Sequence, residues 1–471
     1  MAFILHLLTT AVCALEYLAA MRDVRSNVAK LAVFGGMGLV HGLVPAWTRL
    51  EDLPAAFSSL SPSSRVTAAA MGLLGILALS AGWRAYEWWR RPWTKLSPVL
   101  IAVLESADGQ RLLRRLFWIS AIAAIVAWVA MVLATGAGII EYLIAPRFTF
   151  RLAGTTQLQA VASQFIGLAA IPGFVCFFLP KHYRVMGVVY ALVIAIFFYY
   201  AYKGSRMPPF SVVGGVVMGF ALRHRLSLRR FGVLSLSGLL VVLLSVSLYT
   251  IRWELMRTTP GKVLQMLASL DTYRGALARD PLSYHQYLVS AVELFPEHHS
   301  YVNGGTYRRI LFFFLPRAYF PVLKPEDTAQ VFARAVSPGK GIAEAMIPPT
   351  LMGDAYINFW GWPGLLVLSV DGVVFGFVAC RMRVNVLWFL AFGASFLRFV
   401  LLAIRGQPYE MFVYSVSMLL LVWFLGRVCG FSYRWAKLTT QIQGTHGLDP
   451  LASQRSEYSR EAGLCHRHGL R

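Results

Sequence analysis

The sequence predicts an all-α integral membrane protein with about eleven transmembrane helices. Three observations predict it. Hydrophobic residues make up 57% of the 471 and charged residues only 14%, where a water-soluble domain carries about 25% charged residues. The apolar residues fall in runs of roughly 17–23, the length that carries a helix across the hydrocarbon core. Lys and Arg gather in every second connection between those runs, as the positive-inside rule requires of a multi-pass chain.

In chain order the runs place helices near 3–20, 31–47, 66–83, 116–137, 158–180, 183–202, 207–222 and 231–250, then near 363–380, 384–404 and 409–430. The weakest are 31–47 and 207–222, which are short and glycine-rich. The chain thus divides into eight helices with basic connections over 1–250, one large loop over 251–362, three helices over 363–430 and a basic tail over 431–471. The first run starts at Ala2 without a basic leader, and no small-residue cleavage site follows it. It therefore reads as a retained helix rather than a signal peptide. Cys13, Cys176, Cys380 and Cys429 fall in apolar runs and Cys465 in the tail, so no disulfide frame or CxxC metal spacing appears.

Charge sets the expected orientation. The basic connections hold Arg22, Arg25 and Lys30; the stretch 84–115; Lys181 and Arg184; the stretch 223–230; Arg381 and Arg383; and the tail from Arg434. With eleven spans all six lie on one side, which becomes the cytoplasmic side, with the N-terminus outside and the C-terminus inside. The net charge of +22 has its cause there, and no nucleic-acid partner is implied. The stretch 84–115, with Trp88, Trp89, Trp93 and an Arg-Arg pair, suits the inner membrane interface.

The loop over 251–362 carries eleven Lys/Arg against nine Asp/Glu, so the basic bias is absent and the loop reads as extracytoplasmic. A connection this long serves a function or folds on its own. Residues 261–271 and 281–294 read as short amphipathic helices. Arg308 and Arg309 precede the apolar stretch 310–315, far too short to span. That pattern predicts a segment dipping into the outer interface, with Arg308, Arg309 and Arg317 at headgroup level. Shorter exterior connections add Arg147, Arg151, Lys203, Arg206 and Arg405. Exterior arginines beside spans run against the usual bias, and the guanidinium suits a bidentate grip on phosphate oxygens.

Two blocks of this loop resemble the oligosaccharide repeat-unit polymerases, the Wzy-type O-antigen, capsule and exopolysaccharide polymerases. The first is Gly304-Gly305-Thr306-Tyr307, leading through Leu311 to Pro316-Arg317, Pro321 and Lys324-Pro325. The second is Pro348-Pro349-Thr350 with Gly353 to Phe359 and Gly361 to Gly364. Asp354 stands where the family commonly has Glu, and Trp360 separates Phe359 from Gly361. The resemblance implies a membrane glycosyltransferase architecture of the GT-C-like kind in a bacterial inner membrane. Its substrates would be undecaprenyl-pyrophosphate-linked glycans, its surroundings membrane lipids, and a chain-length regulator a possible partner. It implies no cofactor and metal-independent chemistry.

On that resemblance a diphosphate lipid leaves the sugar, and cations must receive the charge that develops. Arg317 and Lys324 match the motif residue by residue; Arg147, Arg151, Arg308, Arg309 and Arg405 are carried by position and charge. Asp354 is the expected base for the acceptor hydroxyl, with Glu344, His285 and Glu410 as alternatives. Tyr307, Tyr356 and Asn358 are expected to touch substrate. His298 and His299 with Glu293 and Glu297, like Glu51 and Asp52, are read as solvated groups rather than metal ligands. Asp371 and Arg398 fall inside spans, where charges are costly, and are expected to pair with each other. An O-antigen ligase or a flippase or transporter of lipid-linked oligosaccharides is the alternative function.

Overall fold

The structure, a computed structural model, describes residues 1–47, 59–90, 95–136, 138–144, 162, 164–201, 207–224, 284–315, 319–336 and 347–428. Among them all regular structure is helical. In chain order the helices are α1 (Ala2–Met21), α2 (Val24–Trp47), α3 (Pro62–Trp89), α4 (Pro98–Glu105), α5 (Ala107–Leu133), α6 (Ile139–Ile144), α7 (Gln164–Phe178) and α8 (Lys181–Ala201). There follow α9 (Met207–Arg223), α10 (Tyr284–Leu294), α11 (Gly305–Leu311), α12 (Thr328–Val336), α13 (Leu351–Asn358), α14 (Gly364–Val384), α15 (Val386–Arg405) and α16 (Pro408–Val428). Eight of these, α1, α2, α3, α5, α8, α14, α15 and α16, are long and apolar enough to cross a bilayer. The chain is an α-helical, multi-pass membrane protein. The expected span at 231–250 and the amphipathic stretch 261–271 lie outside the described residues.

Two helices differ from expectation. The run at 31–47 is the apolar half of a longer helix that starts at Val24, where Asp23 caps it by accepting from the Ser26 amide at 3.2 Å. Arg25, Ser26, Asn27 and Lys30 hide this first half from a hydropathy reading, because each is bonded to another part of the protein rather than exposed to lipid. Between Leu39 and Leu43 the helix widens into a π turn. The run at 158–180 is described from Gln164 onward as α7, and its backbone is irregular. Pro172 lacks an amide donor, Gly167 and Gly173 interrupt the side-chain surface, and 3₁₀ turns occupy Gly167–Ala169 and Cys176–Phe178. Every residue from Ile166 to Leu179 is buried. Irregular backbone at membrane depth is tolerated only when protein surrounds it in this way.

Small residues set the tightest contacts. On α14, Gly372 and Gly376 are spaced as in a GxxxG pair. A Cβ at Gly372 would strike the Leu79 carbonyl of α3, and one at Gly82 of α3 would strike the Ser369 carbonyl of α14. On α9, Gly215 and Gly219 likewise lie on the backbone of Ala170 and Phe174 in α7. Lipid gives no hydrophobic drive between helices, so close backbone approach of this kind supplies the packing energy. The outward faces are apolar: Phe3, Leu7 and Leu15 on α1 and Val185, Val193 and Ile196 on α8 are all exposed.

The bundle has two unlike ends. One carries α10–α13. The other carries a polar network joining α1, α2, α3 and α14, at the end the charge rule assigns to the cytoplasm. There Glu16 meets Ser80, Arg84 at 2.5 Å and Lys30 at 3.4 Å. Lys30 also reaches Glu87 at 3.3 Å. Arg383, 3% exposed, donates to the Ser26 carbonyl at 2.6 Å and pairs with Glu87 at 3.4 Å. The segment leading into α4 is tied below it, with the Ser97 amide on the Arg383 carbonyl at 2.9 Å. Leu100, Val103 and Leu104 of α4 are buried while Trp88 and Trp89 stay exposed, so the stretch 84–115 folds as part of the base of the bundle.

Candidate functional site

At the loop end, the two sequence blocks meet in one buried knot. Gly304 adopts the left-handed conformation (φ +70°) that glycine tolerates best, and its amide donates to the Asn358 carbonyl at 2.8 Å. The Val302 amide donates to Ile357 at 3.0 Å. The Thr306 amide donates to Asn358 Oδ1 at 3.1 Å, and the Thr306 hydroxyl donates to Asp354 Oδ1 at 3.1 Å. Asn358 Nδ2 donates to Thr328 Oγ1 at 3.1 Å and to the Asp354 carbonyl at 2.9 Å. Tyr307 packs edge-on against Phe359 and donates to Asp371 Oδ2 of α14 at 3.3 Å.

This arrangement gives four expected substrate-facing residues a positioning task. Asp354 is 1% exposed and Asn358 fully buried. Burial first, then Asp327, holds the Asp354 carboxyl well above the usual carboxylate range, against the opposing Thr306 bond. It is sealed from an acceptor hydroxyl, with Oδ2 making no hydrogen bond. Tyr356 is 8% exposed and turns its hydroxyl to the Phe295 carbonyl at 3.5 Å. Burial, then Asp371, raises the Tyr307 phenol well above its ordinary value, so it stays a donor.

A cluster of cations stands beside the knot. Thr350 caps α13, and its amide donates to the Arg405 carbonyl at 3.1 Å. Gly406 makes this approach feasible, because a Cβ there would collide with Thr350. Arg398 and Arg405 lie seven residues apart, two turns along one face of α15. The Arg398 guanidinium sits 4.1 Å from the Tyr414 ring centre, and that of Arg405 5.9 Å from Tyr284. Arg309 of α11 stacks 4.3 Å over Tyr409, donates to the Pro325 carbonyl at 3.1 Å and lies 3.8 Å from Asp327. Glu410 interacts electrostatically with Asp327, Arg405, Arg398 and Arg309, and accepts from Gln407 at 2.8 Å.

The cluster holds unused hydrogen-bonding capacity. The Nε atoms of Arg309, Arg398 and Arg405 are buried and make no hydrogen bond, nor does Gln407 Oε1, while Arg309 Nε faces Asp327 Oδ2 at 3.8 Å. Buried polar groups normally find partners, and each exception calls for a cause. Lys324 plays a different part. It is 9% exposed and spends two of its three donors on the Phe313 and Leu315 carbonyls, at 2.8 and 3.0 Å.

The chain matches no family model, no curated protein and no solved structure. The site therefore rests on its own geometry. Of the expected residues, Arg309, Lys324 and Arg405 come together, while Arg308 is half-buried and donates to the Asn303 carbonyl at 3.3 Å. Arg147, Arg151, Arg317 and Glu344 lie outside the described residues, as do Lys203, Arg206, Glu51 and Asp52. The expected Asp371–Arg398 pair is corrected: Asp371 accepts from Tyr307, and Arg398 turns to Tyr414 and the neighbourhood of Glu410. The spacing of Arg398 from Arg405 was the available signal, since it puts both on one face.

The alternative base, His285, is buried with His6 and His41. Its Nδ1 lies 3.2 Å from His41 Nδ1, and His6 Nδ1 lies 3.0 Å from the His41 carbonyl. Burial, then the two neighbouring imidazoles, holds His285 well below the ordinary histidine value, so it is neutral. Glu293 accepts from the Ser61 hydroxyl at 2.8 Å, and His298 and His299 are exposed. Among the described residues no three His, Cys, Asp or Glu side chains are grouped as metal ligands.

Proposed function

We propose that the protein polymerises lipid-linked oligosaccharide repeat units at the extracytoplasmic face of a bacterial inner membrane. One observation carries this reading: three arginines with buried, unbonded Nε atoms converge at the loop end of the bundle. In that place, cations with free donors suit a phosphate or diphosphate at headgroup level. The resemblance of the two loop blocks to repeat-unit polymerases supports the same reading.

In the reaction, the acceptor hydroxyl oxygen attacks the anomeric carbon of the donor glycan, and the bond from that carbon to the diphosphate oxygen breaks. The bond's electron pair leaves with the lipid diphosphate, whose charge Arg309, Arg398 and Arg405 receive. Glu410, held by Gln407 beside those arginines, is placed to take the acceptor proton. The knot of Asp354, Thr306, Asn358 and Tyr307 fixes α11 and α13 against α14, and with them the position of Arg309 and the end of α15.

The broken, fully buried α7 favours a second reading, transport of a lipid-linked sugar, because discontinuous helices mark transporter sites. Deleting the gene and separating the surface glycans and lipid-linked intermediates on a gel tests both. Loss of a polymerase leaves single repeats on the cell surface. Loss of a transporter strands them inside, and loss of a ligase leaves polymer on the carrier lipid.

A further inference from the structure

A lipid whose head lies at Arg309, Arg398 and Arg405 needs an apolar course for its chain beside that head. The segment following α11 offers one. Leu311, Phe314, Tyr319 and Val322 are each between 67% and 79% exposed, on a part of the protein that crosses no membrane. In water such a patch invites association. At headgroup depth it is a wedge. Lys324 closes its base, giving the Phe313 and Leu315 carbonyls the donors that an irregular turn in an apolar layer requires.

The wedge joins a membrane helix. The Phe313 ring meets Phe412 of α16 at 5.4 Å. From Phe412, Val416, Leu420 and Phe424 follow at intervals of four, one stripe of a helix, with Leu420 and Phe424 59% and 56% exposed. That stripe rises about 18 Å, more than the ~15 Å depth of one leaflet. At its upper end, Tyr409 carries Arg309 and Lys324 over its ring. An apolar track longer than a leaflet thus ends at cations with free donors.

We infer that the exposed apolar residues of 311–315 and 319–323, with the α16 stripe, seat the isoprenoid chain of the lipid-linked donor, with its diphosphate at the arginines. This rests on the function proposed above and adds the path of the chain. The cations complement the head, the exposed stripe complements the tail, and Phe313 against Phe412 makes the two continuous.

The test uses full-length protein in phospholipid nanodiscs, with geranyl diphosphate and undecaprenyl diphosphate as probes. The wild type is expected to bind the long chain about tenfold more tightly. The variant Leu311→Ser/Phe314→Ser, changed only at exposed positions, should abolish that preference. As a second measurement, Phe314→p-benzoylphenylalanine should photo-crosslink to undecaprenyl diphosphate. Normal geranyl diphosphate binding with the tenfold preference intact in the double variant overturns the track alone, as does crosslinking to phospholipid only at saturating undecaprenyl diphosphate. If neither diphosphate binds the wild type, the anion site itself is wrong, and the track falls with it.

Discussion

The two ends of the bundle both bury charge, and they treat it in opposite ways. At the basic end Glu16, Glu87, Lys30 and Arg383 are each held by at least two partners across four helices. At the loop end Arg309, Arg398 and Arg405 lie on aromatic faces with Nε atoms unbonded. A charge already satisfied by the protein holds helices together. A charge left with open donors is free to hold something else.

Substitutions at each end break or sharpen that contrast. The largest expected effect on stability is at the basic end. Glu87→Leu leaves Lys30 and Arg383 buried without the carboxylate between them, which costs about 3–5 kcal/mol; a fall in the thermal unfolding midpoint in detergent checks it. At the loop end the sign reverses. Arg398→Ala or Arg405→Ala is expected to shift stability by less than about 1 kcal/mol, yet to cut polymer formation about a hundredfold or more, as loss of one charge-stabilising donor does. Glycan length on a gel, beside a melting curve, reads both. Wild-type glycan length in either variant would remove the functional half of the contrast.

Acid probes the histidines under the loop end. His285 is held below the ordinary imidazole value near 6.5, so its contribution is fully present above pH ~6.5 and lost as pH falls below that. Between pH 6.5 and 5 the wild type should lose stability that His285→Phe does not lose, seen as converging unfolding midpoints. The smallest effect belongs to Arg308→Ala. Half-buried and outside the cluster, this residue should change stability by no more than about 0.5 kcal/mol and leave glycan length as it was.

Sequence reasoning reached the membrane class and most helix positions, because a span announces itself in length and hydropathy alone. It missed the start of α2, where Arg25, Ser26, Asn27 and Lys30 look like a loop until their partners on α9, α14 and α3 are seen. It placed a span at 158–180 but not the 3₁₀ turns that interrupt it. Of the cations it expected at a headgroup, Arg309, Lys324 and Arg405 lie near one another. It gave Asp354 and Asn358 to the substrate, whereas the fold turns both inward onto Thr306. Periodicity tells which face a residue occupies and is silent about what lies opposite, so Arg398 was matched to Asp371 when Tyr307 already held that carboxylate.

The π turn of α2 has a consequence for how this membrane helix was built. One residue more than the α-helical repeat swings everything beyond it by about 100°, and that swing points His41 at His285 while Lys30 and Phe34 keep their facing on the inner half. Removing a single residue between Leu39 and Leu43 would restore an ordinary helix and carry the imidazole away from its partner. The upper part of the span therefore has a rotational setting of its own, fixed by one surplus residue and latched by histidine.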